Sequence, residues 1–266
     1  MSLTFGELFA GIGGFSLGLE RAGMTCKWQV EIDQYARAVL TKHWPEVPKY
    51  DDVRTFPPQG DYSVDLICGG FPCQDISSAG LRAGLAGERS GLWHEFARII
   101  GELRPRYVLV ENVADLLVRG AGTVVGQLSS LGYDAEWHVI SASAVGAPHR
   151  RERVWFVAWN SNSSDEHSQR RVCESNRANS CGVRSDVPNA NDKSESDVSV
   201  NVCSRLGLSK LAGGRGWWSV EPDVGRVAHG VPSRVDRLRC LGNAVVPQIV
   251  EIIGRAILDR ERRLTA

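Results

Sequence analysis

The sequence predicts an α/β fold organised on a mostly parallel sheet, and three observations carry that prediction. Short apolar runs of strand length, at 3–9, 26–30, 64–68 and 106–110, alternate with stretches whose apolar residues recur at helical spacing. The first run passes through Phe9-Ala10-Gly11-Ile12-Gly13-Gly14 into a helix, the strand, glycine-rich turn and helix of a Rossmann-like opening unit. Residues with chemical capacity then follow the strand ends: Glu31, Cys73 and Glu111. Ligands of open α/β sheets bind at that carboxyl edge.

Strand 3–9 leads into a turn whose glycines let a ligand approach the backbone, near the positive end of the helix dipole. The helix expected over 14–22 stops near Gly23. Strand 26–30 ends at Glu31, about 20 residues after Gly11, where such folds place a carboxylate on ribose hydroxyls. Together these point to an adenosine-containing cofactor. The loop has no Walker Lys-Ser/Thr, which argues against nucleoside triphosphate chemistry. Asp33 or a neighbour is placed to cap a helix running to about residue 43, ended by Pro45. Asp51-Asp52-Val53 follow in a loop. An acid beside an apolar residue there suits an adenine ring, and suits a solvated turn equally well.

Strand 64–68 runs into Gly69-Gly70-Phe71-Pro72-Cys73-Gln74. Two glycines permit a sharp turn, and Pro72 fixes φ just ahead of Cys73. The thiol is thereby presented at the sheet edge as a candidate nucleophile; a small buried cysteine in a tight turn is the alternative. Residues 75–91, rich in Ser, Gly and Ala, read as a long loop able to act as a lid. An amphipathic helix is expected over 92–103. Strand 106–110 ends in Glu111-Asn112-Val113. A carboxyl partly buried there has a raised pKa and can donate a proton, unless it caps a helix or pairs with a cation.

A helix over 123–131 and a strand over 135–140 come next. Arg150-Arg151-Glu152-Arg153 then leads into strand 154–159. Guanidinium groups at that place suit phosphate or carbonyl recognition, or simply a solvated face. From 160 to about 201 the chain is rich in Ser, Asn and Asp and cannot build a core alone. Gly-Gly-Arg-Gly-Trp-Trp at 213–218 forms a basic-aromatic patch. Arg234, Arg237 and Arg239 precede Leu241-Gly242-Asn243-Ala244-Val245-Val246-Pro247, and a periodic helix is expected over 248–260.

Composition bounds the rest. The 266 residues suit one ordinary domain, or one with a small appendage. Lys+Arg and Asp+Glu both number 31, so any basic surface must be local. The start of the chain carries no basic region before an apolar stretch, and no run of membrane-spanning length is present, so neither a signal peptide nor a membrane is expected. Seven scattered cysteines without a C-x-x-C pair indicate reduced thiols in a cytoplasm. Cys173, Cys181, Cys203 and His167 match no zinc-finger spacing, so no metal site is expected.

Five segments fall in the order characteristic of the cytosine-C5 DNA methyltransferases. They are Phe9-Ala10-Gly11-Ile12-Gly13-Gly14, Gly70-Phe71-Pro72-Cys73-Gln74, Glu111-Asn112-Val113, Arg150-Arg151-Glu152-Arg153 and Gly242-Asn243-Ala244-Val245-Val246-Pro247. The chain resembles that family over nearly its whole length, and its closing part resembles the phage and prophage versions. His149 and Asp75 depart from the family pattern, as does the shortness of the region after 160. The resemblance implies a Rossmann-like methyltransferase fold using S-adenosylmethionine, with a small irregular target-recognition region. It divides the chain into a catalytic and cofactor-binding domain (1–159), a recognition region (160–231) and a C-terminal segment returning to the first domain (232–266).

The resemblance also implies roles. Cys73 would attack carbon 6 of a flipped-out cytosine, Glu111 would protonate its N3, and Arg151 and Arg153 would hold the base and nearby phosphates. Phe9, Gly11, Gly13, Gly14, Glu31, Asp52, Val53 and Asn243 would contact the cofactor. Phe71, Pro72, Gln74 and Asn112 would contact the substrate. Double-stranded DNA is the expected partner, the chain is expected to act as a monomer, and a cognate restriction endonuclease is expected where it serves a restriction-modification system. Two other readings stay open: a tRNA-directed relative, against which Cys73-Gln74-Asp75 argues, and a silent DNA-binding relative, which would need neither Cys73 nor Glu111.

Overall fold

A computed structural model describes residues 2–57, 59–72, 91–160 and 233–265. In chain order the elements are β1 (Thr4–Leu8), α1 (Gly14–Ala22), β2 (Thr25–Val30), α2 (Gln34–His43), β3 (Lys49–Tyr50), β4 (Leu66–Gly69), α3 (Leu92–Leu103), β5 (Tyr107–Val113), α4 (Leu116–Arg119), α5 (Ala121–Ser130), β6 (Tyr133–Ile140) and β7 (Arg153–Asn160). After the segment outside the described residues come α6 (Arg234–Asn243) and α7 (Pro247–Thr265).

The seven strands form one sheet in the order β3-β2-β1-β4-β5-β7-β6. The first five pair in parallel. β7 runs antiparallel between β5 and β6. The chain builds outward from β1 to β3 and then crosses back to β4, so the order reverses between β1 and β4. At such a switch point the loops that leave two adjacent strands diverge and open a crevice. Here they are the glycine-rich turn after Leu8 and the turn after Gly69, which are register partners.

Strand alternation divides the core between the two faces of the sheet. Phe5, Leu66, Tyr107, Leu109 and Trp155 pack with Phe15 and Leu19 of α1 and with Ile249, Val250, Ile253 and Ile257 of α7. Leu8, Ile67, Val108, Val110 and Phe156 pack on the other face with Trp93, Phe96, Ile99 and Ile100 of α3 and with Val124 and Leu128 of α5. The Asp33 carboxylate accepts from Ala36 N–H at 2.9 Å and caps α2. Gly23, at φ 105°, closes α1.

Four features depart from the sequence reading. β3 is only two residues long and α4 only four, too short for a periodic signal. The basic run at 234–243, to which the sequence assigned no element, is the helix α6, which buries none of its residues. The last helix begins at Pro247, whose missing N–H costs nothing at a first helical position, and extends to Thr265. The stretch through α6 and α7 is long and apolar enough by composition to cross a membrane. Its apolar residues Ile249, Val250, Ile253 and Ile257 are instead buried against α1 and the sheet.

Candidate active site

The crevice at the switch point is a cavity of about 520 Å³, within the range of small-molecule and cofactor sites. Phe9, Gly11, Gly14, Glu31, Asp52, Val53, Phe71, Pro72, Glu111, Asn112, Arg151, Arg153 and Asn243 all line it. Residues spread over more than 230 positions of sequence thus meet in one place, because the strand ends, turns and helix ends that carry them converge on the same edge. Gly13 is not among the lining residues. It sits behind the turn at φ 85°, and a Cβ there would lie 2.4 Å from the Trp44 ring. Cys73 and Gln74 lie outside the described residues, as do the expected lid and nearly all of the expected recognition region.

One end of the cavity is acidic. Glu31 Oε2 accepts from Gly11 N–H at 2.7 Å and Oε1 accepts from Asp33 N–H at 2.8 Å. The carboxylate is thereby fixed against the glycine-rich turn with lone pairs left over. Gly11, at φ 54°, has open space where a side chain would stand. Asp52 Oδ1 accepts from Arg54 N–H at 2.9 Å, an Asx turn that holds its carboxylate in the loop beside Val53. Two fixed acids, an open glycine edge and the apolar walls of Phe9, Val30 and Val53 form a donor set that fits an adenosine-bearing cation.

The other end is built around Glu111, which is 7% exposed. Antiparallel pairing sets Arg153 opposite Val113 and Trp155 opposite Glu111, so Arg153 falls on the Glu111 side of the sheet. Its Nε meets Glu111 Oε1 at 3.0 Å. Burial pushes the Glu111 carboxyl up to about 7, against the opposing pull of Arg153 and Arg151. Gly70 makes room for it: a Cβ there would stand 2.8 Å from Glu111 Oε2. Asn112, 4% exposed, donates from Nδ2 to the Phe71 carbonyl at 3.1 Å and accepts from Val113 N–H at 2.8 Å. The turn that leads to Cys73 is therefore tied to β5.

Sequence reasoning missed three features. Arg151 Nη2 donates to the Ala244 carbonyl at 2.8 Å. Arg239 of α6 pairs with Asp33 at 2.5 Å, beside Glu31. Glu7, fully buried in β1, also lines the cavity. The first two depend on chain-distant contacts and leave no local pattern, whereas Glu7 was visible as a charge inside an apolar strand. Among the described residues no group of three or more His, Cys, Asp and Glu is placed to hold a metal ion. Cys173, Cys181, Cys203 and His167 lie outside them.

The chain matches the family model described as C-5 cytosine-specific DNA methylase over residues 3–217. It is 40% identical over 163 residues to the Type II methyltransferase M2.BsuMI of Bacillus subtilis, a match covering 57% of this chain and 41% of that protein. An E. coli protein named as a DNA modification methyltransferase encoded within a prophage has a similar structure, with a TM-score of 0.51 and 30% identity over 60% of this chain and 47% of that one. The Entamoeba histolytica methyltransferase EhMeth matches 98% of this chain and 99% of its own at a TM-score of 0.61. At 14% identity that last likeness is one of fold alone. The chain spans about half or less of the length of the curated relatives it matches.

Proposed function

From membership in the C-5 cytosine-specific DNA methylase family, to which this chain belongs, we propose that it methylates carbon 5 of cytosine in double-stranded DNA. The observation that carries the reading is the pairing, in one cavity, of a buried carboxyl held by an arginine with the turn that leads directly to Cys73. S-adenosylmethionine would occupy the acidic end, held by Glu31, Asp52, Val53, Phe9 and Asn243 along the glycine edge of Gly11 and Gly14. It would supply an electrophilic methyl group.

The protein's own part is to make carbon 5 nucleophilic. The Cys73 thiolate adds to carbon 6 and pushes electrons toward carbon 5 and N3. Glu111 donates its proton to N3 as the sulfur–carbon bond forms, and its raised pKa leaves a proton to give near neutral pH. Arg153 fixes the carboxyl and balances the charge left on it. After transfer, the carbon 5 proton passes to a base, the thiolate is expelled and N3 returns its proton to Glu111, which restores the aromatic ring and the acid. A base inside a duplex cannot reach this edge, so the cytosine must be flipped out. Phe71, Pro72, Gln74 and Asn112 would shape its pocket.

In this reading residues 1–159 form the catalytic unit, 160–231 read the target and 232–266 return to complete the cofactor wall. The chain would work as a cytoplasmic monomer in restriction-modification, with a cognate endonuclease, or in phage DNA protection. The test is incubation of purified protein with unmethylated DNA, RNA and labelled S-adenosylmethionine, with base-resolution mapping of 5-methylcytosine. Methylated DNA that is lost in Cys73→Ala is the expected result. Methylated RNA alone, or no methylation with DNA binding kept, overturns the proposal.

A further inference from the structure

We infer that Arg151 is a positioning residue that fastens the loop 244–246 to the sheet edge, and so holds the acidic end and the Glu111 end of the cavity at a fixed separation. The inference rests on the methyltransferase reading and assigns this arginine a task other than touching base or phosphate. Arg151 and Arg153 are two residues apart, and in a continuous strand their side chains would share a face. Arg151 instead has φ 38°, a left-handed conformation that residues with side chains rarely adopt. The alternation breaks immediately before β7. Arg153 turns to Glu111, while the Arg151 guanidinium donates to a main-chain carbonyl 93 residues away, that of Ala244.

The loop that receives it is pressed from the other side by the glycine-rich turn. A Cβ on Gly14 would stand 2.6 Å from Val245 Cγ2 and 3.3 Å from the Val245 carbonyl oxygen. Beyond the loop, α7 is anchored by the buried Ile249 and Val250. Ahead of it, α6 buries no residue and is held to the rest of the fold through the Arg239–Asp33 ion pair. Asn243, the last residue of α6 and part of the cavity wall, lies between that ion pair and the Arg151–Ala244 bond, which fixes its C-terminal side. Through this bond a rearrangement at the arginine motif moves the cofactor wall, which couples the two binding events.

The experiment compares the full chain with Arg151→Met and Arg151→Lys by amide hydrogen exchange and by calorimetric titration with S-adenosylhomocysteine. In Arg151→Met, amides 244–246 are expected to exchange about tenfold faster, with those of β1 and β4 unchanged, and S-adenosylhomocysteine to bind about tenfold more weakly. Arg151→Lys, which keeps one donor for the carbonyl, should recover most of both. Combining Arg151→Met with Asn243→Ala should weaken binding no further than Asn243→Ala alone. Unchanged exchange and affinity in Arg151→Met, with a shallower salt dependence of DNA binding, would overturn the inference and assign Arg151 to phosphates. Failure of the unaltered chain to bind S-adenosylhomocysteine would instead sink the cofactor reading, and the exchange comparison would still decide the tether. If Arg151→Met does not fold, Arg151→Gln takes its place in the same measurements.

Discussion

Glu111 is surrounded by groups that pull its proton equilibrium in opposite directions. Burial holds the proton on, the two arginines pull it off, and the balance lies at about 7. The acid form is therefore lost as pH rises through that value. The single-turnover methyl-transfer rate should show a limb that falls above about pH 7, and Glu111→Gln should remove the limb and lower the rate by about 10²–10⁴-fold. A limb that survives Glu111→Gln would assign the titration to another group. Gly70 makes the complementary point from sterics. A methyl group there would stand 2.8 Å from Glu111 Oε2, so the carboxyl must move off Arg153. Gly70→Ala should cost about tenfold or more in turnover with little change in melting temperature, because misplacement at a reacting group is felt in rate before stability. Wild-type turnover in this variant would show that the turn yields freely.

Glycines of two helices answer to different neighbours. Gly18 of α1 lies against α7, where a Cβ would be 2.5 Å from Val250 Cβ and 2.6 Å from the Pro247 carbonyl oxygen. Gly126 of α5 has nothing within 4 Å of the same position. Ala is favoured over Gly in a helix by roughly 1 kcal/mol, and of these two positions Gly126 is the one where that preference meets no opposing contact. Gly126→Ala should stabilise the protein by about 0.5–1 kcal/mol in urea unfolding. Gly18→Ala should destabilise it by about 1–3 kcal/mol, as over-packing between two helices does. If both substitutions stabilised, α7 would not be seated on α1 as closely as the contact requires.

At the scale of the whole molecule, the fold buries a carboxyl in an interior strand of its sheet. Glu7 of β1 is fully buried, and its Oε2 accepts from Ser16 N–H and from the Ser16 hydroxyl. Glu7 Oε1 and Gln29 Oε1 have no partner, and the two residues are paired across β1 and β2. A proton on Glu7 supplies the donor that this pair of acceptors lacks. Burial accordingly pushes the carboxyl up to about 8, against the bonds from Ser16. A carboxyl raised on folding contributes its full stability below the unfolded value, 4.5, and loses it as pH rises through the folded value, about 8. At about 1.4 kcal/mol per pH unit the loss is on the order of 5 kcal/mol at most, set globally because β1 is an interior strand of the sheet. Urea midpoints should fall from pH 5 to pH 9, and Glu7→Gln, neutral throughout, should flatten that fall. A slope unchanged in Glu7→Gln would show that the carboxyl is already ionised in the fold.

The parts of this protein that are legible in its residues are those whose cause is local. Apolar runs of strand length gave β1, β2, β4 and β5 to within a few residues. Asp33 and Gly23 marked helix ends because capping needs only neighbouring atoms. The residues following the strands, Glu31 and Glu111 among them, were legible as a site because a parallel sheet carries all its strand ends to one edge. The tertiary structure alone decided what depends on distant chain. The antiparallel insertion of β7 put Arg153 on Glu111, the return of α7 brought Asn243 to the cavity, and Arg151 parted from its neighbour to hold Ala244. It also showed that Gly70 and Gly18 are small for the sake of Glu111 and Val250. Local preference is written in adjacent residues, but register, strand direction and close approach are settled only when segments distant in the chain bury their surfaces against one another.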